Sequence, residues 1–284
     1  MLLKKKLLQF FYNALLTGMP TLTYNPYNKN ILHAPFTVNT GSTYINYKLN
    51  NEHIYAINNF MKIKNNNDFK LIKTRLTKTQ IAHLYDDKQY YLDNDKEYYL
   101  DSDKDYYLSI NIYNCSSPIF NFISEDPVTR CELNVYVVNK NNEQGTMILD
   151  YASNILSLDP DNIFKRAGNA SFNIFNDTIF GNVNSDDFTL NFDYNNCNSI
   201  LYNKKLSDNL INLCDKIYYP NGYYDKLYFD SSLLNNDIIK CNNYNVYFKF
   251  LDIEFSELDI DSIFYFTDKI NFVGGMWENI FTKV

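Results

Sequence analysis

The sequence predicts a mainly β fold of the α+β class, a barrel or sandwich with a few peripheral helices, and three observations carry that expectation. Strand-like runs outnumber helical ones by roughly three to one, judged by alternation against helical spacing. Their close spacing, broken by Asn- and Asp-bearing turns, suits an antiparallel β architecture. Aromatic residues make up 17% of 284 residues, 26 Tyr and 21 Phe, which is ample material for one large core. The expected organisation is an N-terminal helix over residues 1–19 followed by a single domain over 20–284.

Residues 1–19 place Lys4, Lys5 and Lys6 before Leu7, Leu8, Phe10 and Phe11. Gln9, Tyr12 and Asn13 interrupt the apolar stretch and no small-x-small site follows, so the segment reads as an amphipathic helix rather than a signal peptide. Pro20 to Phe36 has little periodicity and reads as a surface wrap. Thr43 to Leu49 alternates as a strand, Glu52 to Met61 has helical spacing of Ile54, Ile57 and Met61, and Phe69 to Arg75 returns to strand. A tandem repeat then intervenes: DKQYYL, DKEYYL and DKDYYL begin at Asp87, Asp95 and Asp103. Three such short copies are too few for a solenoid. They read as an insertion over 85–108, a solvated hairpin or charged loop, with an acidic, tyrosine-rich docking arm as the sharper alternative.

Tyr106 to Tyr113, Arg130 to Val138 and Gly145 to Tyr151 are strands, the last two joined by a hairpin-like Asn139 to Gly145 connection. Asp159-Pro160 has the chemistry of a helix start and Gly168 that of a stop. The short helix between them carries Lys165 and Arg166 in its last turn. Phe172 to Phe180, Phe188 to Tyr194 and Ser199 to Leu201 add strand signals, and Lys205 to Cys214 is weakly helical. Val246 to Leu258 and Ile263 to Phe266 read as long apolar-aromatic strands. Trp277, after Gly274-Gly275, sits either in the core or at a pocket mouth.

A net charge of −7 and a pI near 5.0 give no overall attraction to nucleic-acid phosphates or anionic lipid. No apolar run reaches the roughly 20 residues that span a bilayer. The five cysteines are scattered, with no CxxC pair, which suits free thiols in the cytoplasm. Sequons at Asn114, Asn169 and Asn176 are weak evidence for secretion in an Asn-rich chain. His33, His53 and His83 have no ligand-like spacing, so zinc and a histidine-based triad are not expected. GxSxG, GxGxxG and Walker loops are lacking, no cofactor or metal is expected, and Ser185-Asp186-Asp187 reads as a solvated turn rather than a calcium loop.

The Lys165-Arg166 pair remains. Cations in a helix's last turn meet its negative end and need no further purpose. Alternatively, Lys165 points into an apolar hollow, where desolvation and a neighbouring cation both favour the neutral, nucleophilic amine. Phe164-Lys165-Arg166-Ala167-Gly168, followed by Asp177-Thr178-Ile179-Phe180-Gly181, resembles the Pro-Lys-Lys-Leu-Gly and Asp-Thr-Leu-Val-Gly motifs of the acetoacetate decarboxylase family. The order of elements from Ser42 to Asn279 is similar as well. The resemblance implies that family's β-barrel or cone, with Lys165 as Schiff-base amine, Arg166 as its cationic neighbour and Glu132 as the acid-base residue on the strand before the Gly-led one. The chain departs from the family in three places. A shorter Asn154 to Asp159 stretch replaces Gly-Arg-Glu, only Thr40, Gly41 and Ser42 stand where an arginine is expected, and a second glutamate is missing from the Tyr106 to Tyr113 strand.

Two readings follow. One is a Schiff-base carbon-carbon lyase acting on a small keto acid by decarboxylation, or by the related aldol and dehydration chemistry. The other is a non-catalytic barrel that binds an apolar ligand or a protein partner. Neither involves nucleic acid or membrane, and a homo-oligomer is compatible with both.

Overall fold

The computed structural model describes residues 36–38, 41–64, 67–76, 104–116, 128–154, 169–176, 178–195, 213, 217–218, 224–225, 227–229, 238–241, 243–266 and 270–274. In chain order the elements are β1 (Phe36–Val38), β2 (Thr43–Lys48), α1 (Asn51–Ile63), β3 (Phe69–Leu71), β4 (Tyr107–Ser116), β5 (Val128–Asn139) and β6 (Gln144–Ser153). There follow β7 (Asn169–Phe175), β8 (Thr178–Asn184), β9 (Phe188–Asn195), β10 (Ile217–Tyr218), β11 (Tyr224–Asp225), β12 (Leu227–Phe229) and β13 (Ile238–Cys241). The last are β14 (Tyr244–Phe250), β15 (Ile253–Phe255), β16 (Ile260–Phe266) and β17 (Ile270–Gly274). The mainly β, α+β expectation therefore holds, with α1 as the peripheral helix among the described residues.

The strands form two sheets, one of twelve strands and one of five, the smaller in the order β15-β14-β9-β8-β7. Neither closes on itself among the described residues. The large sheet forks along its two longest strands. β2 pairs with Tyr107 to Ile112 of β4, whereas β1 takes over on the same strand at Cys115 and Ser116. β4 likewise pairs with β5 as far as Val135, and β3 takes over from Val137 to Asn139. Pairing is antiparallel apart from β10 against β6.

Alternation explains how the sheets stack. In β4 and β5, Leu108, Ile110, Ile112, Leu133 and Val135 all point to one face and are fully buried. They join Val183, Leu190 and Phe248 of the smaller sheet and Ile57 and Met61 of α1 in one core. Each such side chain contributes about 1.5 to 3 kcal/mol by leaving water. Gly181 is closely packed within its sheet and against the other. A Cβ there would lie 2.4 Å from Phe192 Cε1 and 3.1 Å from Ile112 Cδ1, so the glycine that ends the Asp-Thr-Ile-Phe-Gly motif serves sheet packing. The α1 helix begins at Asn50, whose side chain accepts from the His53 backbone N–H at 3.0 Å while His53 Nδ1 accepts from Asn50 N–H at 3.4 Å. The His53 ring stacks on Phe255 with centroids 4.1 Å apart.

Two expected single strands are hairpins instead. Phe172 to Phe180 spans β7 and β8, which fold back at Asn176 (φ 47°), and Val246 to Leu258 spans β14 and β15, which fold back at Leu251 (φ 55°) before a 3₁₀ turn at Glu257–Asp259. Positive φ without glycine hides both turns from the sequence, although asparagine tolerates that region better than most residues. The Phe69 to Arg75 strand is shorter than expected and ends at Leu71. Asn114 of the first sequon is tied into β4, donating to the Phe172 carbonyl at 3.0 Å and accepting from Thr129 Oγ1 at 2.8 Å. Cys115, Cys131 and Cys241 are free and buried, while Cys197 and Cys214 lie outside the described residues. Among the described residues no helix is long and apolar enough to cross a membrane. The expected helices at 1–19, Pro160 to Ala167 and Lys205 to Cys214, most of the 85–108 insertion, and Trp277 also fall outside them, apart from Leu213.

Candidate active site on the buried polar face

The opposite face of the large sheet is also buried, but it is polar. Antiparallel partners share a face, and the register sets Tyr113 against Arg130, Asn111 against Glu132 and Ser109 against Asn134 across β4 and β5. β6 adds Ser153 beside Arg130 and Tyr151 beside Glu132. β2 adds Tyr44 beside Asn111 and Asn46 beside Ser109. Ser109 is 0%, Asn46 1%, Asn111 6% and Asn134 7% exposed. A register shift between Leu133 and Asn134 leaves one extra residue on β6, between Ile148 and Asp150. Such a bulge re-aims the side chains on either side of it, and here it brings Ile148 as well as Tyr151 onto the polar face.

Glu132 is at the centre of this face. Its Oε1 accepts from the Tyr113 hydroxyl at 2.6 Å and lies 3.9 Å from Arg130 Nη2. The first is a short, charge-assisted hydrogen bond; the second is an ion pair without hydrogen-bond contact. Its Oε2 has no hydrogen-bond partner among the described residues. Arg130, 7% exposed, lies over the Tyr151 ring at 4.8 Å and nearer the edge of reach of the Tyr113 ring at 6.0 Å. Burial opposes its charge, but the oxygens of Tyr113, Tyr151 and Glu132 outweigh that and push its pKa up, so a full positive charge is fixed inside the protein. Burial drives the Tyr113 hydroxyl well above its ordinary value and the Tyr151 hydroxyl to about 12. Cys115, on the same face, is pushed up to about 11 by the same cause. These groups stay protonated near neutrality, which makes Tyr113 a hydrogen-bond donor to Glu132 rather than a competing anion.

Of the three site residues expected from the sequence, Glu132 is described and faces this interior; Lys165 and Arg166 lie outside the described residues. The residues that sequence reasoning missed are Arg130, Tyr113 and Tyr151. The period-two rule could have found the first, since Arg130 and Glu132 are two apart on one strand and must share a face. Ser42, one of the three residues standing where the resemblance expects an arginine, is 1% exposed and donates to Asn111 Oδ1 at 3.2 Å. The guanidinium on this face is that of Arg130, from β5. The place opposite Glu132, on the strand where the resemblance expects a second glutamate, is held by Asn111.

A hollow of about 550 Å³ lies elsewhere, on the smaller sheet and the turn after it, lined by residues that include Tyr247, Glu254 and Glu257. Glu257 there is already occupied, accepting from the Val246 N–H at 2.6 Å.

No protein-family model and no curated protein matches the chain. Solved structures do, distantly. An acetoacetate decarboxylase-like enzyme from Sphingomonas wittichii RW1 aligns with TM-score 0.45 at 5% identity, over 86% of this chain and 92% of that one. The enduracididine biosynthesis enzyme MppR, complexed with the condensation product of pyruvate and imidazole 4-carboxaldehyde, aligns with TM-score 0.43 at 5% identity, over 86% and 88%. An acetoacetate decarboxylase aligns with TM-score 0.38 at 9% identity, over 86% and 89%.

Proposed function

We propose that the chain binds a small keto acid on the polar face of the large sheet and acts on it through a Schiff base at Lys165. The observation that carries this reading is the Arg130-Glu132-Tyr113 group. A buried guanidinium stands beside a carboxylate that has one oxygen anchored by a tyrosine and the other unengaged among the described residues. A planar guanidinium is the side chain best matched to a carboxylate ligand. An anchored carboxylate with a spare oxygen is what proton transfer at a neighbouring carbon requires. The lysine comes from the motif resemblance.

In this scheme the neutral Lys165 amine attacks the ketone carbon, a C–N bond forms, and water leaves to give an iminium. For a β-keto acid, the bond to the carboxylate carbon then breaks, carbon dioxide departs, and the electron pair becomes the C=C bond of an enamine. Protonation of the enamine carbon and hydrolysis of the regenerated iminium return the amine. Arg130 holds the substrate carboxylate, Glu132 carries the protons, Tyr113 fixes Glu132, and Arg166 favours the neutral form of Lys165. Decarboxylation, aldol and dehydration routes share the iminium and diverge after it.

Borohydride reduction in the presence of acetoacetate or pyruvate, followed by peptide mass spectrometry, tests the scheme. The expected result is one reduced adduct, on Lys165. Full recovery of unmodified Lys165 after saturating treatment would remove Schiff-base chemistry from the reading.

A further inference from the structure

Beside and beyond Glu132, the same buried face is floored mainly by neutral hydrogen-bonding side chains, Asn46, Ser109, Asn111, Asn134, Tyr136 and Ser262, with Ile148 next to Asn134. The polar ones are cross-linked. Ser109 Oγ donates to Asn46 Oδ1 at 2.7 Å and pairs with the Tyr136 hydroxyl at 2.9 Å, while Asn46 Nδ2 reaches Ser262 Oγ at 3.3 Å. Asn111 donates to the Tyr44 hydroxyl at 3.0 Å and accepts from Ser42 at 3.2 Å. These bonds fix the orientation of the capacity that remains. Asn111 keeps a second N–H and a second lone pair, and Asn134, 7% exposed, makes one long bond to the Glu132 carbonyl at 3.4 Å, its amide oxygen having no partner among the described residues.

An apolar substrate tail laid on this floor would cover the remaining capacity of Asn111 and Asn134 and return no hydrogen bonds, which is costly. No charged side chain belongs to this floor; Asp261, which accepts from Ser262 Oγ at 2.9 Å, is exposed. Hydroxyls, which both donate and accept, match the floor. Arg130, Glu132 and Asn134 follow one another on this face of β5 at steps of about 7 Å, an order that fits the carboxylate, the reacting carbon and the tail of one extended molecule. Resting on the keto-acid reading above, we propose that the substrate is a hydroxylated keto acid whose tail lies over Asn134 and Asn111.

The test is calorimetric titration of the full chain with two six-carbon 2-keto acids, 2-keto-3-deoxygluconate and 2-oxohexanoate, which differ in whether the tail carries hydroxyls. The hydroxylated acid should bind at least about 10-fold more tightly, the difference made by one or two net hydrogen bonds. Equal affinities, or the reverse order, would overturn the inference and leave the keto-acid reading in place. Binding of neither acid overturns the tail assignment, and if acetoacetate also fails to bind, the keto-acid reading falls with it. If the order is as expected but borohydride traps nothing on Lys165, the Schiff-base scheme fails alone and the tail assignment stands. Asn134→Ala, with its fold checked by circular dichroism, should cut the preference at least about 3-fold; an undiminished preference overturns the placement of the tail.

Discussion

The two faces of β4 and β5 are built from neighbouring residues of the same strands and are comparably buried, yet they differ in chemistry at every step. On one, Ile110, Ile112, Leu133 and Val135 enter the core shared with the smaller sheet and α1. On the other, Asn111, Tyr113, Glu132 and Asn134 make hydrogen bonds to one another and to their neighbours. Burying apolar surface is favourable in itself, whereas burying amides, a carboxylate and a guanidinium at best breaks even once each is paired. The contrast makes the apolar face the source of stability, and the proposed function places recognition on the polar one. A protein selected for stability alone would gain little from a second buried face of this composition.

That division of labour is open to a direct break. Glu132→Gln keeps an oxygen for the Tyr113 hydroxyl but removes the proton carrier. Keto-acid turnover, measured well below the unfolding midpoint, should fall by about 100- to 10,000-fold, although taking the carboxylate from buried Arg130 also lowers stability, by about 3 to 5 kcal/mol for a buried pair. A folded variant that keeps its turnover would invert the assignment.

On the apolar face the expected loss is in stability. Leu133→Ala, at a fully buried position, should cost about 2 to 5 kcal/mol in equilibrium urea unfolding. Below its unfolding midpoint it should retain the ratio of affinities for hydroxylated and apolar keto acids. A changed ratio would show that the two faces are not independent.

The smallest effect sharpens the comparison, because it concerns a polar group on the apolar side. Burial against Phe255 holds the His53 pKa below the usual histidine value. The unfolded chain therefore takes up this proton at higher pH than the folded one. The contribution of neutral His53 is complete above about pH 6.5 and is lost as pH falls toward the folded pKa. Protonation also removes the acceptor that Nδ1 offers to Asn50 N–H. Stability measured by urea unfolding should decline between pH 7 and pH 5 with a steeper slope in the parent than in His53→Gln. Identical slopes would mean that the ring titrates as if exposed.

Much of this arrangement is legible in the sequence. The strand of Tyr106 to Tyr113, the pair of strands around Asn139 to Gly145 and the helix from Glu52 to Met61 follow from local periodicity, and they occur where that periodicity places them. Glu132 is implied only by the family resemblance, and its place on the polar face comes from the strand register. The turns at Asn176 and Leu251 could not be read, because neither has the glycine that advertises positive φ. Arg130 has no counterpart in the family resemblance, which expects its arginine near Ser42. Sequence order says which residues alternate, but only strand register says which strand faces the same space.

The alternation of apolar and polar residues in β4 and β5 was set by the sequence alone, and with it the existence of two chemically distinct faces. Alternation of that kind is equally compatible with a polar face in water. Only the tertiary structure decided that this polar face is buried, that Tyr113 anchors Glu132, and that Arg130 keeps its charge out of solvent. The physical reason is that burial is a property of what comes to lie over a surface, and those contacts join residues far apart in the chain, where no local pattern records them.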